Sequence, residues 1–274
     1  MTRRIIQIIF FFLMPGSFVA GFTGVRNIAE QIGSGMPITV NSFLITLSAL
    51  LIFTVVFGRF FCGFVCAFGS LGDFIYFLSG LIQKKLFRRK KQIQIPEKCS
   101  VVFTKIKYFI LILVIAACAF GFYGSVSAAD PWTVFSFITA LRLNFEGFEI
   151  GFVCLILILV AMAFKERFFC RYLCPMGAVF SVLPVLPFAY LKRDPDSCLK
   201  RCSACQRRCP VGIKLESDGI KNGECIACER CASVCPKKNL TRWDRKTVRL
   251  SVFSMILRAG IFFVMGWFLG LCRL

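Results

Sequence analysis

The sequence contains no histidine, and this absence narrows the chemistry that is open to the protein. Haem held by histidine, histidine-bound zinc or copper, and a histidine general base are all excluded. No haem is expected. Acidic residues are also scarce, with 14 Asp and Glu against 34 Lys and Arg and a formal net charge of +20. The chain has neither a G-x-G-x-x-G fingerprint nor a Walker run, so the sequence indicates no nucleotide site.

Apolar residues dominate what is present. They make up 57% of the chain, which includes 33 Phe and has a mean hydropathy of +0.74. This composition is typical of an integral membrane protein and predicts a lipid bilayer as the environment. The basic residues stand beside apolar segments and no nucleic-acid motif accompanies them, so no nucleic-acid partner is predicted.

The second notable abundance is cysteine, with 16 residues, whose spacing is that of metal ligands. One stretch reads Cys225-Ile-Ala-Cys228-Glu-Arg-Cys231-Ala-Ser-Val-Cys235-Pro236, the bacterial ferredoxin run C-x2-C-x2-C-x3-C-P. An earlier stretch reads Cys198-Leu-Lys-Arg-Cys202-Ser-Ala-Cys205-Gln-Arg-Arg-Cys209-Pro210, with one extra residue before its second cysteine. Tandem runs predict two 4Fe-4S clusters.

The fourth cysteine of each run, before proline, crosses to the other cluster in such modules. One predicted ligand set is therefore Cys225, Cys228, Cys231 and Cys209, and the other is Cys198, Cys202, Cys205 and Cys235. For the second set two alternatives stand. Either the loop bulges by one residue at Cys198, or that cluster has another fourth ligand.

Four apolar stretches are predicted to cross the membrane, at about 5–25, 38–57, 107–127 and 150–164. The first could instead be a signal peptide. A fifth stretch, 249–272, either crosses or lies along the interface, because Arg258 in its middle is costly in lipid. The segment between Lys84 and Lys107 carries nine basic residues, whereas the opposite loops carry one each. The positive-inside rule then predicts a multi-pass protein of the cytoplasmic (inner) membrane, with the N-terminus and the ferredoxin module in the cytoplasm.

The chain also repeats itself at an offset of 108 residues. Arg59-Phe-Phe-Cys62-Gly-Phe-Val-Cys66-Ala-Phe-Gly69 falls on Arg167-Phe-Phe-Cys170-Arg-Tyr-Leu-Cys174-Pro-Met-Gly177. Two cysteines at i and i+4 share one face of a helix, and two such pairs related by symmetry form a four-thiolate cage. Cys62, Cys66, Cys170 and Cys174 are therefore candidate ligands of a third metal or iron–sulfur site at the membrane face. They could also be redox thiols, or simply small buried residues.

These pieces predict an α-helical integral membrane protein of four or five transmembrane helices, in two tandem helix-hairpin repeats each followed by a CxxxC segment. A two-cluster, α+β ferredoxin-like module is inserted near the end. The predicted divisions are 1–83 for the first hairpin with its CxxxC segment, 84–106 for a basic cytoplasmic loop, 107–191 for the second hairpin with its CxxxCP segment, 192–248 for the ferredoxin module and 249–274 for a last apolar helix.

In these residues the chain resembles the NapH/NosR family of membrane polyferredoxins. Cys170-Arg-Tyr-Leu-Cys174-Pro175 matches the family's C-x3-C-P segment, whereas Cys62-Gly-Phe-Val-Cys66-Ala67 has Ala in place of Pro. The resemblance implies an electron-transfer subunit that works between the quinone pool, or a cytoplasmic donor, and a partner redox protein. A quinol dehydrogenase component is one form of this. The alternative is a redox-dependent maturation or regulatory protein that uses its membrane-face cysteine pairs to handle a metal or thiol for a partner.

Overall fold

The structure, a computed structural model, is built mainly from α-helices. It describes residues 2–87, 97–142, 146–186, 189, 191–194, 196, 198–199, 202–213, 219–220, 223–241 and 248–272.

Two parts follow each other along the chain. The first, residues 2–186, is here termed the helical part. Its elements are α1 (Thr2–Leu13), α2 (Ser17–Gly33), α3 (Ser42–Phe57), a π-helix (Phe61–Val65), α4 (Ala67–Phe87), α5 (Glu97–Ala119), α6 (Tyr123–Val126), a 3-10 turn (Ser127–Ala129), α7 (Pro131–Thr139), α8 (Glu149–Phe164), α9 (Phe168–Tyr172) and α10 (Pro175–Val182).

The second part, residues 191–241, is termed the cysteine-rich segment, and a final helix follows it. The elements are β1 (Leu191–Arg193), α11 (Ala204–Arg208), β2 (Gly219–Ile220), α12 (Arg230–Ser233), β3 (Leu240–Thr241) and α13 (Val248–Phe268). The strands form an antiparallel sheet in the order β2-β1-β3, with Leu191 opposite Ile220 and Lys192 opposite Thr241.

The internal repeat is visible in the helix bounds. Shifted by 108 residues, α3 falls on α8 and the π-helix falls on α9, to within one residue at each end. Helices α4 and α10 then begin at the equivalent residues Ala67 and Pro175. They differ in length because Leu183, which precedes Pro184, is extended at ψ 136° and ends α10.

One described helix is long and apolar enough to cross a membrane alone, namely α5 through its Val102–Ala119 stretch. Helices α1 and α2 also qualify if taken as one span, although they meet at a bend of 64° beside Pro15. Helices α3, α8 and Val252–Phe268 are apolar but shorter. The predicted count of four or five spans therefore stays a prediction, and residues 88–96 of the predicted basic loop lie outside the described residues.

Packing produces one large core and one small core. In the large core the rings of Phe68 and Phe169 lie 4.3 Å apart, with Phe18 against both, so aromatic contacts join the two repeats beside the CxxxC segments. The small core contains Leu191, Cys231 and Leu240, with further cysteines packed on it. A core of this size gives the cysteine-rich segment little stability of its own.

Candidate iron–sulfur sites

Four cysteines of the cysteine-rich segment surround one cavity. Cys209, Cys225, Cys228 and Cys231 line it together with apolar residues that include Leu191 and Val211. These are the four cysteines that motif spacing assigns to a single cluster. Among the described residues no three His, Cys, Asp or Glu side chains converge as they would on a single metal ion. A 4Fe-4S cube is larger than an ion and keeps its thiolates apart around a cavity, so this arrangement could hold a cube.

The loop that carries these ligands has an unusual backbone. Ala227 and Glu229 have φ of 51° and 57°, on either side of Cys228. Non-glycine residues seldom adopt this left-handed conformation, and where they do it often marks a functional constraint. Here it wraps the chain around the cavity before α12 presents Cys231.

The two cysteines that precede proline share one local geometry. The N–H of Ile213 donates to Cys209 Sγ at 3.4 Å, and the N–H of Asn239 donates to Cys235 Sγ at 3.5 Å. Each donor lies four residues after its cysteine. Such hydrogen bonds help set the reduction potential of a cluster held by the sulfur.

Burial disfavours free thiolates at this cavity. It raises the pKa of Cys209 to about 11, and it also raises the pKa of Cys231. Near neutral pH these groups would therefore be thiols unless a bound metal centre stabilised the thiolate form.

Three cysteines of the second predicted ligand set, Cys198, Cys205 and Cys235, lie within electrostatic range of Arg193. Its guanidinium donates to Cys198 Sγ at 2.9 Å. That hydrogen bond, with the charges of Cys198, Cys205 and Cys235, raises the pKa of Arg193. Cys202 is held by a turn in which its N–H donates to the carbonyl of Leu199 at 3.2 Å. Residues 200–201 of the irregular loop lie outside the described residues, so both alternatives for Cys198 remain open.

The structure also brings the two CxxxC pairs together. Cys62, Cys66, Cys170 and Cys174, termed the four-thiol site, are all at least 92% buried. Burial and the charges of Cys170 and Cys62 raise the pKa of Cys66, and burial and the charges of the other three raise the pKa of Cys174. The four sulfurs therefore lie within electrostatic range of one another.

In each pair the second cysteine marks the end of a helical turn. The N–H groups of Cys66 and Cys174 each donate to the carbonyl five residues earlier, at 2.9 Å, and both residues then leave the helix with ψ of 114° and 110°. Such π-type turns are frequent at functional sites. Ala67 stands where the other repeat has Pro175, yet the backbone turns in the same way.

Two buried arginines cross between the repeats at this site. Arg59 contacts Cys62 Sγ at 4.0 Å, and Arg167 contacts Cys170 Sγ at 3.8 Å. A side chain at Gly69 would overlap Arg167, and one at Gly177 would press against Arg59. Two of the positions that the repeats share therefore meet across them, because the glycine of one repeat makes room for the arginine of the other.

The carboxylates that pair with these arginines come from different parts of the chain. Arg167 makes two hydrogen bonds to Asp73, Nε to Oδ1 at 2.8 Å and Nη2 to Oδ2 at 2.6 Å. Arg59 lies 3.4 Å from Glu224, which belongs to the cysteine-rich segment and directly precedes Cys225. Burial raises the pKa of Glu224, but the positive charges of Arg59 and Lys107 outweigh it, so the pKa lies below its ordinary value.

Further ion pairs hold the cysteine-rich segment against its surroundings. Glu229 pairs with Arg258 of α13, and Arg230 pairs with Glu166. The buried Arg258, flagged in the sequence as costly, therefore has a carboxylate partner. The sequence did not predict the ion pairs of Glu224, and its position directly before Cys225 is the only sequence feature that could have suggested a role for it.

Several other polar or thiol groups with little solvent exposure belong to none of the predicted ligand sets. Asp130 is buried and accepts a hydrogen bond from the hydroxyl of Tyr123. The guanidinium carbon of Arg26 lies 3.8 Å from the centre of the Tyr123 ring. Cys118 is buried, and Cys154 and Cys272 are half-buried.

Known proteins are similar to most of the chain, and one family profile matches the segments that contain the four-thiol site. The profile of a family described as "4Fe-4S binding domain" matches residues 41–93 and 150–186, which contain the two CxxxC pairs. An uncharacterized protein of Methanocaldococcus jannaschii is 32% identical over 87% of this chain and 93% of its own length. The ferredoxin-type protein NapH of Haemophilus influenzae is 29% identical over 73% of this chain and 69% of its own length. The regulatory protein NosR of Pseudomonas aeruginosa is 30% identical over 62% of this chain, which is 23% of NosR. No solved structure matches the chain significantly.

Proposed function

The chain belongs to the NapH/NosR-type family of membrane polyferredoxins, which are ferredoxin-type 4Fe-4S electron-transport proteins, and we propose that it transfers electrons at a membrane through two ferredoxin-type clusters. The observation that carries the proposal is the cavity that Cys209, Cys225, Cys228 and Cys231 share. The second cluster is assigned to Cys202, Cys205 and Cys235, with either Cys198 or another group as the fourth ligand. When bound, each cluster supplies one-electron redox chemistry.

The protein's own groups tune these sites. Backbone N–H groups of Ile213 and Asn239 donate to cysteine sulfurs, and Arg193 donates to Cys198. Donors and positive charge next to a thiolate favour the more negative, reduced state, so these contacts raise the reduction potentials. The left-handed residues Ala227 and Glu229 fix the loop around the cavity.

The four-thiol site is proposed as a third iron–sulfur site. The family profile falls on the two segments that supply these cysteines, and the four thiols lie within electrostatic range of one another. Nε of Arg59 is buried and lacks a hydrogen-bond partner among the described residues, so this donor is available to an anionic cluster at the four thiols. Iron and sulfide content, measured anaerobically, would test this. Roughly eight irons in both wild type and the Cys62/Cys66/Cys170/Cys174→Ser variant would exclude a third cluster.

We propose that the protein lies in the cytoplasmic membrane, with several helices crossing it and the cysteine-rich segment on the cytoplasmic side. Large apolar side chains exposed on the helices support this. Phe109 and Ile112 of α5 are 67% and 65% exposed, and Phe12 of α1 is 70% exposed. The strongly basic segment between Lys84 and Lys107 supports the orientation.

The donor is proposed to be the quinone pool or a cytoplasmic reductase, and the acceptor a partner redox protein. Purified, cluster-loaded protein in liposomes should be reduced by a ubiquinol or menaquinol analogue, followed by visible bleaching and EPR. If dithionite reduces the clusters but every quinol leaves them oxidised, the quinone pool is excluded as donor. If dithionite fails as well, electron transfer itself is excluded.

A second candidate function is redox-dependent maturation or regulation of a partner. It is favoured by the four-thiol site, whose buried thiols could handle a metal, and by the relative named as a regulatory protein. Cys62→Ser combined with Cys170→Ser separates the two functions. Normal reduction of the ferredoxin clusters together with failed metal loading of the partner would favour maturation.

A further inference from the structure

The ligand loop of the cysteine-rich segment rests directly on the four-thiol site. A Cβ added to Gly63, the residue after Cys62, would overlap the carbonyl oxygen of Ile226 and lie 3.6 Å from the N atom of Cys228. Ile226 and Ala227, between the ligands Cys225 and Cys228, are each only 1% exposed. The loop around one proposed cluster and the π-helix of the other proposed site are therefore in backbone contact.

The two repeats differ in the residue that neutralises the arginine. In the first, Asp73 occupies the position that Ser181 occupies in the second, at the offset of 108. Asp73 pairs with Arg167, whereas Ser181 has no charge to offer Arg59. At the position equivalent to Asp73, the second repeat therefore has no carboxylate.

Glu224 reaches the place where that carboxylate is missing. Gly223 packs so closely on Ser181 that a Cβ there would overlap the Ser181 carbonyl oxygen. The hydroxyl of Tyr108 lies 2.7 Å from Ser181 Oγ and 2.8 Å from Glu224 Oε1. Glu224 also pairs with the fully buried Lys107, and Arg59 reaches the carbonyl of Gly223 at 3.1 Å.

We propose that Glu224 is a positioning residue that completes the four-thiol site from the cysteine-rich segment, and that this junction makes the four-thiol site and the cluster of Cys209, Cys225, Cys228 and Cys231 adjacent stations of one electron path. The proposal rests on the proposed function, in which both sites hold iron–sulfur clusters. The connection runs from Cys225 through its neighbour Glu224 to Arg59, and from Arg59 to Cys62.

The transfer step needs no further reactant. With a cluster bound at each site, one electron would be exchanged between the site of Cys225 and the site of Cys62, so that the donating site is oxidised by one electron and the accepting site is reduced by one. No bond forms or breaks and no proton moves. The ion pair of Glu224 with Arg59 holds the loop on the π-helix and keeps the positive charge of Arg59 compensated.

The test is an anaerobic redox titration followed by EPR, on variants first shown by iron content to retain all clusters. Glu224→Gln should raise the midpoint potential of both sites, because a negative charge is lost between them. A tenfold change in the electron-exchange equilibrium corresponds to about 59 mV for one electron. Glu229→Gln is the matched control. It removes a carboxylate next to Cys228 in the same loop, but this carboxylate pairs with Arg258 and not with Arg59. It should therefore shift the midpoint potential of the cluster that includes Cys228 and leave that of the four-thiol site unchanged.

A charge-relocation variant keeps the test decisive if Glu224→Gln loses iron. Ser181→Asp added to Glu224→Ala places the carboxylate where the first repeat has Asp73, and it should restore the iron content and the potential of the four-thiol site. In fully reduced wild type, the spins of the two sites should also broaden each other's EPR signals.

Three results would overturn the proposal. They are an unchanged four-thiol potential in Glu224→Gln with full iron content, no restoration by Ser181→Asp, and no EPR signal that depends on Cys62 and Cys170. The first two results leave the proposed iron–sulfur site at the four thiols standing, whereas the third removes that site as well. Failure of electron transfer by the ferredoxin clusters would appear differently, as clusters that dithionite does not reduce.

Discussion

Arg167 and Asp73 join the two repeats through a bidentate ion pair that is almost completely buried, with side-chain exposures of 1% and 10%. Arg167 comes from the second repeat and Asp73 from the first. The same carboxylate accepts from Arg3 of α1 at 2.6 Å and from Gln7 at 2.8 Å. One side chain therefore ties α1, α4 and the turn before α9 to the four-thiol site.

Asp73→Asn should destabilise the protein by about 3–5 kcal/mol, because it leaves Arg167 buried without a counter-charge. Denaturation in mild detergent, followed by loss of helical circular dichroism, measures the effect. Arg3→Gln is the control. Its side chain is 13% exposed and Arg167 still pairs with Asp73, so its cost should be clearly smaller. Equal stability of Asp73→Asn and wild type would show that the pair contributes only geometry.

EPR of cysteine variants can test whether the fourth cysteine of each ferredoxin run binds the cluster of the other run. Cys209→Ser should perturb the same cluster signal as Cys225→Ser, because both residues line one cavity. Cys235→Ser should perturb the same signal as Cys205→Ser. If Cys209→Ser instead grouped with Cys205→Ser, each run would wrap its own cluster.

Arg258→Gln should speed release of iron from the cysteine-rich segment to a chelator by more than about tenfold. The substitution breaks a buried ion pair with Glu229. Breaking such a pair destabilises the folded state by more than the roughly 1.4 kcal/mol that corresponds to a tenfold change in an equilibrium constant. The double variant Arg258→Met with Glu229→Gln leaves no buried charge unpaired and should release iron more slowly than the single variant. Equal rates in the single variant and wild type would mean that α13 does not hold this loop.

Stability should fall as the pH rises from about 5 to 7, and Asp130 should account for much of the change. Burial raises the pKa of Asp130 to about 7, against an ordinary value near 3.9. Between these two values the native state keeps the proton and the unfolded state loses it, so rising pH favours unfolding until the native carboxyl also ionises.

Thermal unfolding midpoints measured in detergent at several pH values would check this. Asp130→Asn cannot ionise, so it should flatten the dependence between pH 5 and 7. Glu149→Gln, at the exposed start of α8, is the control and should leave the slope as in wild type. An unchanged slope in Asp130→Asn would assign the dependence to another group.

The internal repeat shows which features of the fold a local sequence pattern can predict and which it cannot. The matched letters predicted equivalent elements, and the helix bounds agree because proline, glycine and apolar runs act on the nearby backbone. That each cysteine pair shares one helical face stays a prediction, but the same letters did not predict where the helix ends within each pair. Cys66 and Cys174 lie just beyond a π-type turn, and a five-residue hydrogen bond in place of a four-residue one leaves no mark in apolar periodicity.

The amino-acid sequence by itself determined the apolar helices, the repeat, the ferredoxin spacing and the family resemblance, since each depends on residues that are close in the chain. Only the tertiary structure decided which distant groups meet. Glu224 lies 165 residues from Arg59, and Gly63 lies against Ile226. A lone carboxylate or glycine has no distinguishing pattern in the sequence. Its role depends on the charged group or the backbone that lies beside it in the folded protein. A buried arginine needs a carboxylate beside it, because an unpaired buried charge is strongly destabilising.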